Sequence, residues 1–189
     1  MRDPEHARRA LGRVSIAPPD TSWPEHFLCE RERLRTFLGR ITDQLQHYGS
    51  TAVAGLSAKP IIDMMAPVGS LDQADALARR LAMAGYQKID AGFIKRRFFR
   101  RVVADADLAY HLHLVISPVW PLKNELLLRD WLIQHPEVAR AYEALKVELA
   151  SRYGDDMPSY TAGKTSFLRV VVNDARLCQG LPIEDDWDE

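Results

Sequence analysis

The sequence has little cysteine, no excess of charge of one sign and no long apolar run, and each shortage excludes a class of protein. Among 189 residues there are two cysteines, too far apart and too few for a disulfide scaffold or a thiolate zinc site. Lys and Arg number 25 against 26 Asp and Glu, so no net field favours nucleic acid or an anionic membrane. No apolar run approaches the roughly 18 residues of a transmembrane helix. The first residues show no signal-peptide pattern, so we expect a cytoplasmic protein without a membrane partner.

Length and composition predict one folded domain. The chain is 47% hydrophobic and 27% charged, which is typical of globular proteins and too apolar for intrinsic disorder. Residues 1–13 are polar and predict an N-terminal extension. Residues 14–175 predict the single domain, and residues 176–189 predict an acidic C-terminal tail.

The hydrophobic periodicity predicts an α+β fold with α/β-like features. The nearly continuous apolar run over 61–68 predicts a strand buried on both faces. Further strands are predicted over residues 41–48, beginning at residue 86, within residues 93–103 and over residues 108–116. Helices are predicted over 24–39, between 70 and 85, and over 121–133, 136–153 and 159–173. This order of elements predicts one mixed central sheet with helices packed on it and with C-terminal helices.

A turn of Gly49, Ser50 and Thr51 follows one of the predicted strands. Glycine permits the close approach of a ligand, and free N–H groups at a turn bind phosphate. Lys59 adds a positive charge shortly afterwards. Asp63 lies in the apolar strand, where a carboxylate is unfavourable unless it is paired, hydrogen-bonded or bound to a metal. The alternative is an ordinary tight turn, a surface lysine and an aspartate that caps nearby backbone.

Two histidines, His111 and His113, lie two residues apart on a predicted strand, so their side chains share a face. One metal ion could bridge them, and Asp63 could complete a three-ligand site with open positions. Imidazole favours Zn, Mn, Fe or Ni over Mg. The alternative is a pair of histidines that form hydrogen bonds at a pocket floor or contact phosphate when protonated.

A basic segment over 95–101 alternates between the two faces of a predicted strand. Arg97 and Arg101 share one face, and Arg96 and Arg100 share the other. We retain Arg97 and Arg101 as candidates for contact with a triphosphate or an acidic partner. The alternative is an exposed strand whose arginines extend over the edges of the core. Nucleic acid is disfavoured as a partner because the chain as a whole is not basic.

The stretch from His47 to Met64 resembles the GrpB family, a branch of the nucleotidyltransferase-fold superfamily. The family pattern runs close to His-Ile-Gly-Ser-Thr-Ala-Val-Pro-Gly-Leu and, after a small gap, Lys-Pro-Ile-Ile-Asp-Ile. The resemblance continues over 110–115, 128–132 and 136–149 and covers about residues 14–173. The departures, none of which removes a polar group, are Tyr48, Ala54 and Met64.

The resemblance implies a nucleotidyltransferase-like mixed sheet with a Gly-Ser turn directed at nucleotide phosphates. In the superfamily, two carboxylates alternate on the strand after Gly-Ser and a third lies on a neighbouring strand, and together they hold two Mg²⁺ ions. Asp63 matches the first carboxylate, whereas Met65 stands where the second would fall. The neighbouring strand offers His111 and His113 instead. These departures argue against the standard two-magnesium mechanism.

Four family positions fall on the predicted C-terminal helices: Arg129, Lys146, Tyr160 and Lys164. Arg129 and Lys146 are implied to line the cleft, and the alternative is that they are ordinary surface charges. The candidate residues for binding nucleotide or phosphate are therefore Gly49, Ser50, Thr51, Lys59, Arg97, Arg101, Arg129, Lys146 and Lys164.

Three functions stay open. The first is a transferase that moves a nucleotidyl group from a nucleoside triphosphate to an unknown acceptor, with Asp63 as the catalytic residue and Mg²⁺, Mn²⁺ or Zn²⁺ as the divalent metal. The second is a non-catalytic module that binds a nucleotide or another phosphorylated small molecule. The third is an enzyme that uses a single metal ion on Asp63, His111 and His113.

Overall fold

The computed structural model describes residues 14–103, 107–118 and 120–184. Within these residues, five strands form one mixed sheet in the order β1–β2–β5–β4–β3. The strands are β1 Gln46–Tyr48, β2 Ile61–Pro67, β3 Gln87–Ile89, β4 Arg96–Val103 and β5 Leu108–Val115. β2 pairs with β5 in parallel, and the other neighbours pair antiparallel. The predicted fold class, a mixed sheet with helices packed on it, is confirmed.

The helices begin and end largely where local signals place them. They are α1 Trp23–Leu38, α2 Leu71–Ala76, α3 Ala78–Met83, α4 Asn124–Gln134, α5 Pro136–Tyr153 and α6 Met157–Cys178. α1 ends at Gly39, whose φ of 58° suits glycine. α2 begins after Ser70, whose hydroxyl accepts a hydrogen bond from the Gln73 N–H at 3.1 Å. No helix among the described residues is both long and apolar enough to cross a bilayer.

Three elements differ from the sequence prediction. The first part of the strand predicted over 41–48 is a 3₁₀ helix, Gly39–Gln44. Within this helix, Thr42 Oγ1 donates to the Gly39 carbonyl at 2.6 Å. The helix predicted between 70 and 85 is divided at Leu77. α6 continues to Cys178, past the predicted domain end at 175, whereas residues 1–13 and the acidic run 185–189 lie outside the described residues.

The two faces of the sheet have different partners. One face packs under α1, α2 and α3 as the main core, with Ile62, Met64, Phe99, Leu112 and Leu114 at its centre. The opposite face carries Asp63 and His111, which are directly paired in the register of β2 and β5. The loop after β1 packs there against α4 and α5 through a second apolar cluster that includes Val53, Leu56, Leu132 and Tyr142. This second face therefore positions the candidate site.

Candidate functional site

The Gly-Ser turn leaves the end of β1 in a conformation that only glycine adopts readily. Gly49 has φ 73° and ψ −174°, and a 3₁₀ turn over Ser50–Ala52 follows it. A Cβ atom on Gly49 would lie 2.6 Å from Asp63 Oδ2, so glycine allows the turn to approach the carboxylate. Thr51 Oγ1 donates to the Ile61 carbonyl at 2.8 Å and ties the turn to β2. The turn is thus held directly against Asp63.

A pocket of about 250 Å³ lies between this turn and the C-terminal helices. The predicted site residues on its lining are Gly49, Ser50, Thr51, Lys59, Asp63, Arg129, Lys146 and Lys164. The structure therefore brings together residues from β2, the segment between β1 and β2, and α4, α5 and α6. The lining residues that the sequence analysis missed include Tyr48, Glu125, Leu128, Leu132, Tyr142, Tyr160 and Leu168. Among these, the sequence indicated Tyr160 as a family position, whereas it indicated Tyr142 only as an apolar position on a helix.

One buried lysine and two half-buried lysines converge on the pocket. Lys146 is 3% exposed, and its Nζ donates to Ser50 Oγ at 3.0 Å and to the Ser57 carbonyl. Burial lowers the pKa of Lys146 to about 8. Burial, reinforced by the charge of Lys59, lowers the pKa of Lys164 to about 8. Burial also lowers the pKa of Lys59, so all three ammonium groups would gain from a bound anion.

The ring of Tyr160 contacts two of these lysines, Lys59 and Lys164. Lys164 Nζ lies 4.5 Å from the centroid of the Tyr160 ring, and Lys59 Nζ lies 5.8 Å from it. Tyr160 is 1% exposed, so its ring is a fixed platform on which the two flexible side chains rest. The lysines on α6 and before β2 are therefore directed into the same pocket.

Arg129 lines the pocket, but its guanidinium already forms hydrogen bonds with other residues of the chain. It donates to the His47 carbonyl at 2.8 Å, to Gln46 Oε1 at 3.1 Å and to Asp130 Oδ1 at 2.7 Å. These bonds join α4 to β1 and fix the strand from which the Gly-Ser turn departs. Arg129 therefore positions the turn.

The predicted metal ligands do not form a metal site among the described residues. Asp63 Oδ1 lies 3.2 Å from His111 Nδ1. His113 instead stacks on Phe98, with ring centroids 4.6 Å apart, and burial holds the pKa of His113 well below its usual value. No three His, Cys, Asp or Glu side chains in the described ranges are placed to hold a metal ion. Asp63 and His111 are therefore the two predicted metal ligands that the structure brings into contact.

Arg97 and Arg101 lie on the other face of the sheet, away from the pocket. Arg97 Nε donates to Asp75 Oδ1 at 2.9 Å, and Arg101 Nη2 donates to Glu30 Oε2 at 2.6 Å. β4 turns Arg96 and Arg100 toward the Asp63 face instead, since Arg100 is paired with His111. The structure thus does not bring the two predicted arginines to the site.

Comparison with known proteins gives matches over most of the chain. The GrpB protein family matches residues 13–174. A UPF0157 protein of Pseudomonas aeruginosa is 37% identical over 166 residues, which are 86% of this chain and 68% of that protein. A UPF0157 protein of Bacillus subtilis is 30% identical over 87% of this chain and 48% of that protein. The glutamate-rich protein GrpB of Alkalihalophilus pseudofirmus is 32% identical over 86% of this chain and 96% of that protein.

One solved structure agrees with the family match. The crystal structure of GrpB from Enterococcus faecalis is 26% identical, with a TM-score of 0.77 over 88% of this chain and 99% of that one. A weaker likeness, 17% identical with a TM-score of 0.48, is to Cid1 poly(U) polymerase, over 86% of this chain and 54% of that one. The family resemblance predicted from His47 to Met64 is confirmed.

Proposed function

The chain belongs to the GrpB family, and we propose that its pocket binds a nucleoside triphosphate or another phosphorylated small molecule. The observation that carries this proposal is the convergence of Lys59, Lys146 and Lys164 on the pocket beside the Gly-Ser turn. Two carboxylates line the pocket, Asp63 and Glu125, and Glu125 is paired with Arg96 at 3.0 Å. The positive charge of the lysines therefore exceeds the negative charge that faces them.

Phosphate oxygens suit this arrangement chemically. Hydrogen bonds between an ammonium group and a phosphate are among the stronger ones in proteins. Their strength increases where water is excluded, as it is around Lys146. Ser50 adds a hydroxyl that Lys146 already orients at 3.0 Å. We expect the phosphates to lie against Ser50, with Lys59 and Lys164 on the opposite wall.

The remaining wall of the pocket is apolar and suits a flat organic group. It is formed by Leu128, Leu132, Tyr142, Tyr160 and Leu168. Small-molecule pockets commonly combine such a wall with a few placed polar groups that fix orientation. A nucleobase would find ring and leucine contacts there while its phosphates stay on the lysines.

The test is a titration of the purified protein with nucleoside triphosphates and with pyrophosphate, in EDTA and then in Mg²⁺. Lys146→Met keeps the length of the side chain and removes the charge, and we expect it to weaken triphosphate binding by roughly 10–100-fold. Lys95→Met is the matched control, since Lys95 is exposed and lies outside the pocket lining. Equal affinities in the two variants, with both still folded by circular dichroism, would contradict the proposal.

Nucleotidyl transfer is the second candidate, and one observation favours it. Asp63 lies against the Gly-Ser turn, where the superfamily resemblance places its first carboxylate. Glu125, the other carboxylate on the lining, is paired with Arg96, so Asp63 alone supports this reaction. The assay is pyrophosphate release from each triphosphate with Mg²⁺, Mn²⁺ or Zn²⁺, in wild type and in Asp63→Asn. Release that Asp63→Asn abolishes supports transfer, and tight binding without release under every metal supports the non-catalytic module.

A further inference from the structure

The sheet face that carries Asp63 continues beyond His111 onto β4. There Arg96, Phe98 and Arg100 occupy alternate positions, and we refer to these three residues as the β4 stripe. The register pairs Arg100 with His111 on the neighbouring strand. All three side chains of the β4 stripe are half-buried. The stripe is therefore a direct extension of the surface that begins at the pocket.

A groove of about 440 Å³ opens beside the β4 stripe. Phe93 and Phe98 line it, with their rings edge to face and their centroids 6.5 Å apart. The guanidinium carbon of Arg96 lies 4.2 Å from the centroid of the Phe93 ring. Half-buried rings beside a stacked guanidinium are the chemistry on which bases of single nucleotides and single strands stack.

Among the described residues, no acidic side chain neutralises the charge of Arg100. Within the part of the chain that the structure describes, the Arg100 side chain has no hydrogen-bond or ion-pair partner. The arginines on the other face differ, since Arg97 is bound to Asp75 and Arg101 to Glu30. A half-buried guanidinium without an anion suits a phosphate, which it can bind through two parallel N–H groups.

Two contacts join the groove to the pocket. The Phe98 ring lies 4.9 Å from the His111 ring, and His111 Nδ1 lies 3.2 Å from Asp63 Oδ1. Arg96, from the stripe, also binds Glu125 of the pocket lining at 3.0 Å. Ligands in the groove and in the pocket would therefore be separated by only one layer of side chains.

We propose that the β4 stripe and the groove bind a second nucleotide unit, with its base in contact with Phe93 and Phe98 and its phosphate on Arg100. The assignment of this unit as the partner of the pocket ligand rests on the proposed function. The same chemistry is offered by a free mononucleotide and by the end of a single strand, and the two sources are distinguished by the test.

The test measures binding of AMP and of a ten-nucleotide single-stranded RNA to the full chain by calorimetry, with and without saturating triphosphate. We expect Arg100→Gln and Phe93→Leu each to weaken binding of the favoured probe by about tenfold or more. Both variants should bind triphosphate in the pocket as wild type does. Arg79→Gln, at an exposed arginine on α3, is the matched control and should change neither affinity.

Each outcome decides the proposal. Tighter binding of RNA than of AMP assigns the end of a strand, and equal binding assigns a single nucleotide unit. Failure of both probes to bind, or equal binding to wild type, Arg100→Gln and Phe93→Leu, overturns the second site. Loss of triphosphate binding in Lys146→Met together with unchanged RNA affinity in Arg100→Gln would retain the pocket and reject the groove. The reverse pattern would reject the pocket and retain the groove as a separate site.

Discussion

Replacing Gly49 with alanine should damage the protein in two separable ways. The backbone there, at φ 73° and ψ −174°, lies in a region that is nearly restricted to glycine, and we expect a cost of about 1–3 kcal/mol in the free energy of unfolding. The new Cβ would also stand 2.6 Å from Asp63 Oδ2 and 3.3 Å from Asp63 Cβ. Overpacking of this kind adds roughly 1–3 kcal/mol. We therefore expect a total loss of about 2–6 kcal/mol.

A second glycine separates the two contributions. Gly39 has φ 58° and ψ −132°, but a Cβ on it would meet no atom within 4 Å. Gly39→Ala should thus show the backbone cost alone and leave triphosphate binding unchanged. Gly49→Ala should lose more stability and also weaken triphosphate binding, since it displaces either the turn or Asp63.

Urea unfolding followed by circular dichroism measures both variants, and calorimetry measures the binding. Combining Gly49→Ala with Asp63→Ala removes the oxygen that the Cβ meets, so the double variant should cost less than the sum of the single changes. Equal losses in Gly39→Ala and Gly49→Ala, with no coupling to Asp63, would refute the close approach of the turn to the carboxylate.

Three further predictions concern stability and charge. Burial lowers the pKa of Lys146 and of Lys164 to about 8 from 10.5, so between pH 8 and pH 10.5 the folded state binds fewer protons than the unfolded state. The free energy of unfolding should therefore rise with pH in this range, and the affinity of the pocket for anions should fall. Urea titrations at pH 8, 9 and 10 check the first, and no rise would contradict it. Glu30→Ala leaves Arg101 without its buried partner and should cost about 3–5 kcal/mol without changing triphosphate affinity; a large affinity change would mean that the two sheet faces are coupled. Thr51→Val removes the 2.8 Å bond from the turn to β2 and should cost about 1–3 kcal/mol in urea unfolding, whereas a neutral effect would show that the turn is held in another way.

The parts of the site that could be predicted were those that one local segment encodes. An apolar run interrupted by Asp63 predicts β2 with a carboxylate on it, and the glycine beside two hydroxyls predicts the turn. Lys146 and Lys164 were predicted only from their family positions. The local sequence around a lysine on a helix indicates an ordinary surface charge and gives no sign of a pocket. Their convergence depends on how α5 and α6 pack, which no local pattern determines.

The choice between the two faces of β4 could not be made from the sequence. Strand periodicity shows that Arg97 and Arg101 oppose Arg96 and Arg100, but it does not say which pair shares a face with Asp63. That is decided by the pairing of β4 with β5, in which Arg100 meets His111. Similarly, alternate spacing places His111 and His113 on one face, yet the stacking of His113 on Phe98 depends on a residue from another strand.

The contact between Lys146 and Ser50 joins positions that are 96 residues apart in the chain, and this separation has a kinetic consequence. Contacts between distant segments form late in folding, because the entropy of closing a long loop is lost before the contact is gained. During synthesis, a chain that has emerged only as far as Pro136 holds the turn and Asp63 but neither Lys146 nor Lys164. Capacity to bind the pocket ligand should therefore arise only once α6 has left the ribosome, so that ligand binding reports completion of the whole domain.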